Sequence, residues 1–153
     1  MKTQQLINVS EVKLTYTNKV KPSDRQKITC SRDAHKIFKE FWRLDIIEFV
    51  EEFRLLLLNR SNAVLGIIEI SKGGISGTVT DIRLIFQAAI KGNASGIICA
   101  HNHPSGNLSP SESDIKITQK IKEAGNLMDI QLLDHLIITS EDEYFSMADN
   151  GHI

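Results

Sequence analysis

The stretch CAHNHPSGNLSPSESD, residues 99–114, holds two histidines two positions apart, a loop built on Pro104, Gly106 and Pro110, and a carboxylate at Asp114. Upstream of it, GIICA (96–100) reads as a short buried strand, and downstream Ser111 to Ala124 reads as a helix with Ile117, Ile121 and Ala124 on its inner face. In extended backbone residues i and i+2 point the same way. His101 and His103 at the end of the strand can therefore both reach one ion at about 2 Å, and Asp114 in the first turn of the helix can close the coordination from the other side.

Working outward, the same strand and helix pattern continues. Ser31 is expected to cap a helix from Arg32 to about Arg43, with Ala34, Ile37, Phe38, Phe41 and Trp42 as its apolar stripe. Phe53–Leu58 and Ala63–Ile70, joined by the polar NRSN (59–62), read as an antiparallel hairpin. Thr80 and Asp81 start a helix that stops at Gly92 and Asn93, and Gly125 stands where a left-handed terminator of the third helix is expected. Ile130–Thr139 and Glu143–Met147 look like a last pair of strands. VSEVKLTYT (9–17) alternates apolar and polar residues, so a strand is expected to open the fold. The sum is an α/β domain with one mixed sheet.

At 153 residues the chain fits one domain with its own core. Its two cysteines, Cys30 and Cys99, form no C-x-x-C pair, which argues against a disulfide framework or a zinc ribbon and for a reducing, cytoplasmic setting. No signal-peptide h-region or bilayer-spanning run is present, so no membrane association is expected. Net charge is −1; residues 1–40 hold nine Lys/Arg against four Asp/Glu, and the remainder nine against fifteen. The basic excess is interleaved with Asp24, Asp33 and Glu40, a solvated face more than a nucleic-acid patch.

Three protein ligands with a fourth position open to water is the catalytic zinc arrangement, whereas structural sites close with four Cys or His. Such a site needs a proton acceptor, and Glu52 at the start of a strand is the candidate, with Glu51 as its local competitor on the other face. Ser111-x-x-Asp114 also fits a capping box, so Ser111 can cap while Asp114 binds metal. Cys99, two before His101, is a rival fourth ligand or a buried apolar residue. For Asp134 and His135 two readings stand open: orienting a ligand histidine, or a satisfied core pair. Asn102 and Ser105 either contact substrate or shape the turn. Gly73, Gly74 and Gly77 match no phosphate-binding pattern and read as hinges of a loop bordering the cleft.

Taken together, H-x-H-P, then Ser111, then Asp114 resembles the JAMM motif of the JAB/MPN metallopeptidases, a Glu upstream followed by H-x-H-P-x(6)-S-x(2)-D. Within that superfamily the chain is similar to the bacterial RadC-like proteins through HNHPSG (101–106), SGT (76–78) and LLDHLIIT (132–139). The resemblance runs from about residue 30 to the C-terminus, which divides the chain into an N-terminal strand and linker (1–29) and the domain proper (30–153). It implies a JAB/MPN-like mixed β-sheet flanked by helices. It also implies a zinc ion (Zn2+) on His101, His103 and Asp114, Glu52 as general acid and base, Ser111 supporting the oxyanion, and a peptide or protein substrate. The upstream glutamate of that family often precedes an aromatic residue, which selects Glu52 before Phe53. Longer RadC-like proteins carry a helix-hairpin-helix region associated with DNA, and residues 1–29 have no room for one. The family's DNA-repair label thus becomes the alternative: an accessory protein of DNA metabolism with a structural or vestigial metal. Zinc-dependent deamination is disfavoured, since H-x-E and P-C-x-x-C are missing.

Overall fold

A computed structural model describes residues 9–73 and 79–153. Gly74, Gly77 and the SGT at 76–78 lie outside the described residues. Five strands form one sheet in the order β2-β1-β3-β4-β5: β1 (Glu52–Leu58), β2 (Val64–Lys72), β3 (Gly96–Asn102), β4 (Gln131–Ile138) and β5 (Tyr144–Ser146). β1 runs antiparallel to β2 and β3, β3 and β4 are parallel, and β5 returns antiparallel to β4. Helices α1 (Ser31–Phe41), α2 (Ile82–Lys91) and α3 (Glu112–Leu127) complete the domain. The expected α/β architecture and the hairpin across NRSN are both present.

β1 and β3 are buried along their whole length. FRLLLL is a continuous apolar run apart from Arg54, the pattern of a strand covered on both faces. Alternation then sorts the core into two layers. Leu56, Leu58, Ile98, Ala100, Leu136 and Ile138 face Ala34, Ile37 and Phe38 of α1. Phe53, Leu55, Leu57, Ile97 and Cys99 face Ile85, Phe86 and Ala89 of α2 and Ile121 of α3.

Three expectations are corrected. Residues 9–17 form no strand: Val9, Val12 and Leu14 are exposed, and the segment is tied to the sheet by the Tyr16 hydroxyl donating to the Leu65 carbonyl at 2.8 Å. A period of two states which face would be buried but supplies no partner edge. Second, α1 starts one residue early and its N-cap position is Cys30, which makes no side-chain cap bond. Ser31 instead shares a hydrogen bond with the Tyr144 hydroxyl, while the Asp33 carboxylate accepts the backbone and side-chain donors of Thr29. Third, Gly125 does not end α3. It lies inside the helix, and Asp129, with φ 54°, takes the left-handed position. Gly125 is needed because the Ile130 carbonyl closes over it: a Cβ there would sit 2.2 Å from that oxygen.

Gly125→Ala should therefore destabilise the domain by about 1–3 kcal/mol, despite the roughly 1 kcal/mol that alanine gains over glycine in a helix. Urea denaturation of the two proteins measures the difference.

His35 of α1 is enclosed, its ring stacked on Tyr144 at 4.4 Å between centroids and its Nε2 without a hydrogen-bond partner. Burial, helped by the charges of Arg32 and Lys39, pushes its pKa from 6.5 down to about 4. The unfolded chain thus takes up this proton first, so the stabilising contribution is complete above about pH 6.5 and is lost as pH falls towards 4. His35→Phe keeps the stacking and removes the proton site. Across that window it should lose less stability than the wild type, by an amount on the order of 3 kcal/mol in pH-dependent urea titrations.

Candidate metal centre

His101 near the C-terminal end of β3 and His103 just past that end turn to one side, as the spacing of two requires. The Nε2 atoms of His101 and His103 lie 3.0 Å apart. Asp114 comes from the first turn of α3, with Oδ1 3.2 Å from His101 Nε2 and Oδ2 3.2 Å from His103 Nε2. The three residues form a group whose ligand atoms all lie within 4.8 Å of one another. His103 Nδ1 meets the Asn107 carbonyl at 2.6 Å. A carbonyl can only accept, so that nitrogen holds the proton and Nε2 presents its lone pair. His103 Nε2 and the Asp114 carboxylate are thus acceptors set close together beside His101 Nε2, and such a group could hold a cation. Burial alone would raise the Asp114 carboxyl, but its contacts with His101 and His103 outweigh that and hold it far below the usual range. His103 is raised, because Asp114 and the Asn107 carbonyl outweigh burial.

Ser111 and Asp114 form the capping box: Asp114 N donates to Ser111 Oγ at 3.0 Å, and Ser111 N donates to Asp114 Oδ2 at 2.8 Å. Capping and ligand geometry are therefore one arrangement, since the bond that starts α3 also fixes the carboxylate. A cleft of about 220 Å³ opens beside the cluster, lined by Glu51, Phe53, Thr80, His101, Ser113 and Asp114. A hollow of about 410 Å³ at the opposite end of the sheet, around Asn59, Ser95 and Gln131, contains none of these groups.

Glu52, the expected base, does not face the cleft. Phe53 pairs directly with His101 across β1 and β3, and their rings lie nearly parallel, 6.3 Å apart. Glu52 therefore points to the other face, where Arg54 bonds it at 3.1 Å and also reaches Glu69 at 3.3 Å. The Arg54 guanidinium lies 5.2 Å from the Trp42 ring centroid. Glu51 has the parity of Phe53 and borders the cleft, where burial raises its pKa against the lowering influence of His101 and His103. Phe53, the aromatic residue after Glu52, is itself on the site face, and that places its immediate neighbour off it.

Asn102, between the two histidines, faces away from the cleft and is fully buried. Its Oδ1 accepts from Glu52 N at 2.7 Å, and its Nδ2 donates to the carbonyls of Ile47 and Val50, each at 2.8 Å. Together with Gly73 N donating to the Glu51 carbonyl at 2.8 Å, these bonds fix the chain on both sides of Glu51. The middle residue of H-x-H thus shapes the site and does not contact the cleft.

Cys99 is buried in the core opposite Leu55 and is not part of the ligand group. Asp134 and His135 separate. The Asp134 carboxylate accepts from the Ser146 hydroxyl at 2.6 Å and from the amides of His135 and Ala148, fastening the chain after β5. His135 lies 2.8 Å from His101 Nδ1 through Nε2 and 2.6 Å from the Thr118 hydroxyl through Nδ1. Burial pushes its pKa well down, so it stays neutral. Thr118 went unnoticed in the sequence, where it is one helical polar residue among several.

Residues 28–152 match the RadC-like JAB domain family. A UPF0758 protein of Flavobacterium johnsoniae is 49% identical over 127 residues, covering 82% of this chain and 53% of the relative. UPF0758 proteins of Porphyromonas gingivalis and Salinibacter ruber are 45% and 39% identical, over 83% and 85% of this chain and 55% and 54% of theirs. The chain spans about half the length of these relatives. Among the described residues no helix is long and apolar enough to cross a membrane. With the sheet, the His-His-Asp cluster and these matches in agreement, the chain belongs to the RadC-like JAB domain family.

Proposed function

We propose that the domain is a zinc-dependent hydrolase of amide bonds, a metallopeptidase or isopeptidase acting on a peptide or protein substrate. The observation that carries this reading is the convergence of His101 Nε2, His103 Nε2 and the Asp114 carboxylate beside a cleft that also receives Glu51. Three ligands leave a position open, which separates a catalytic zinc site from a closed structural one. Zinc held there supplies Lewis acidity, acidifying water and polarising a carbonyl.

The chain's own residues then divide the work. Glu51, not Glu52, takes the proton from water and returns it to the departing amine, since Glu51 borders the cleft and Glu52 is committed to Arg54. Its raised pKa favours this exchange, because a base works best when its pKa approaches the working pH. Ser111 Oγ accepts from Asp114 N, which leaves its own O–H free to donate to an oxyanion. Phe53 and Ile117 make the apolar wall of the cleft.

Wild-type protein purified without added metal should contain close to one zinc per chain by elemental analysis, and His103→Ala and Asp114→Ala should lose most of it. Glu51→Gln should keep its zinc and lose about 10²- to 10⁴-fold in hydrolysis of a fluorogenic peptide library. Glu52→Gln should also keep its zinc, with its effect showing as lowered stability because Arg54 loses its buried partner. Absence of zinc from folded wild type would overturn the hydrolase reading in favour of a vestigial site. Full turnover by Glu51→Gln would overturn the assignment of the base.

A further inference from the structure

His101 is the only ligand of the cluster whose remaining ring nitrogen meets another side chain, and that contact continues inward. Its Nδ1 lies 2.8 Å from His135 Nε2, His135 Nδ1 lies 2.6 Å from Thr118 Oγ1, and Thr118 Oγ1 lies 2.6 Å from the backbone carbonyl of Asp114. His135 and Thr118 are both fully buried. The polar groups that this chain leaves along the way therefore have no water to turn to.

The Asp114 carbonyl fixes the direction of every bond. A carbonyl has no hydrogen, so at this distance the Thr118 hydroxyl donates its single proton to it. Thr118 Oγ1 can then only accept from His135, which places a proton on His135 Nδ1. His135 is fully buried and has no carboxylate among its hydrogen-bond partners to balance a second proton, so its Nε2 is assigned as an acceptor. That acceptor takes a proton from His101 Nδ1, and the one nitrogen left with a lone pair is His101 Nε2, which faces Asp114 and His103.

A single extra residue in β4 makes this possible. Ile97 pairs with Leu132, but Ile98 pairs with Asp134 and Cys99 with His135. Without that irregularity Cys99 would face Asp134, and a carboxylate would occupy the position beside His101. A bulge of this kind re-aims the side chains that follow it.

We propose that His135 and Thr118 are positioning residues that hold His101 in the Nδ1–H tautomer, so that its Nε2 lone pair is set for a metal ion before the ion arrives. The assignment rests on reading His101, His103 and Asp114 as metal ligands. It ties the first ligand to the last, because the chain that orients His101 ends on the backbone of Asp114. Hydrogen-bond partners of this kind typically govern metal affinity by about 10- to 100-fold.

The test has two independent readouts. Long-range ¹H–¹⁵N spectra of the imidazoles in metal-free wild type should show His135 neutral with its proton on Nδ1. A proton on His135 Nε2 would overturn the proposal from the wild type alone, whatever any variant does. Zinc affinity, measured by chelator competition, should fall about 10- to 100-fold in Thr118→Val, which removes the acceptor at nearly constant volume, and recover in Thr118→Ser. His135→Gln, whose amide oxygen can accept from His101 Nδ1, should bind zinc more tightly than His135→Phe. If wild type binds zinc and folded Thr118→Val binds it equally well, the positioning role fails while the metal site stands. If folded wild type binds no zinc, both fail.

Discussion

The buried amide of Asn102 is the constraint on which the site depends. It satisfies one amide and two carbonyls of the segment leading into β1, groups that would otherwise be buried without partners. Each such unpaired group costs about 1–3 kcal/mol, so this segment is held against the end of β3 more firmly than packing alone could hold it. The consequence is geometric. With Glu52 N pinned to Asn102, the strand begins with Phe53 across from His101, and Glu51 is brought to the cleft mouth. H-x-H is thus a three-residue device: the outer residues face the Asp114 carboxylate, and the inner residue fixes the carboxylate-bearing chain from behind.

The opposite face of β1 carries its own charged pair, and the contrast separates two kinds of buried carboxylate. Glu52 is almost wholly enclosed, with Arg54 against one oxygen and Lys72 3.9 Å from the other. A buried ion pair of this sort seldom adds much net stability, but removing one member leaves an uncompensated charge. Glu51 is only partly enclosed, and no lysine or arginine stands among the described residues that line the cleft. A glutamate whose charge is already committed to arginine is a poor proton shuttle; one at an open cleft, raised by burial, suits that task.

The central strands, the helix faces and the three clustered groups were legible because each follows from a local period. FRLLLL, GIICA and the apolar stripe of α1 state their own burial, and H-x-H states its own face. What was not legible depends on a partner elsewhere in the chain. Residues 9–17 alternate correctly and still form no strand, for want of an edge to pair with. Gly125 looks like a terminator until the Ile130 carbonyl is seen against it. Glu51 and Glu52 could be told apart only by knowing that Phe53 lies opposite His101. Asp134 and His135 exchange faces through a bulge that no sequence period announces.

Rigidity at the cluster follows from how its parts share atoms. One carboxylate starts α3 through Ser111 and faces both histidines, and the carbonyl of the same residue ends the chain that passes through Thr118 and His135. Thr118 follows Asp114 by four positions, one helical turn, so the helix itself sets the spacing between the carboxylate-bearing residue and the hydroxyl. On the other side, His103 is set by the Asn107 carbonyl of its own loop, within the segment where Gly106 adopts φ 82°. The two histidines are therefore oriented independently, one by the sheet and helix and the other by the loop. Each chain of bonds ends on a backbone carbonyl, which can only accept; with the proposed tautomers, both Nε2 lone pairs would face the Asp114 carboxylate, a set of three acceptors that could hold a cation.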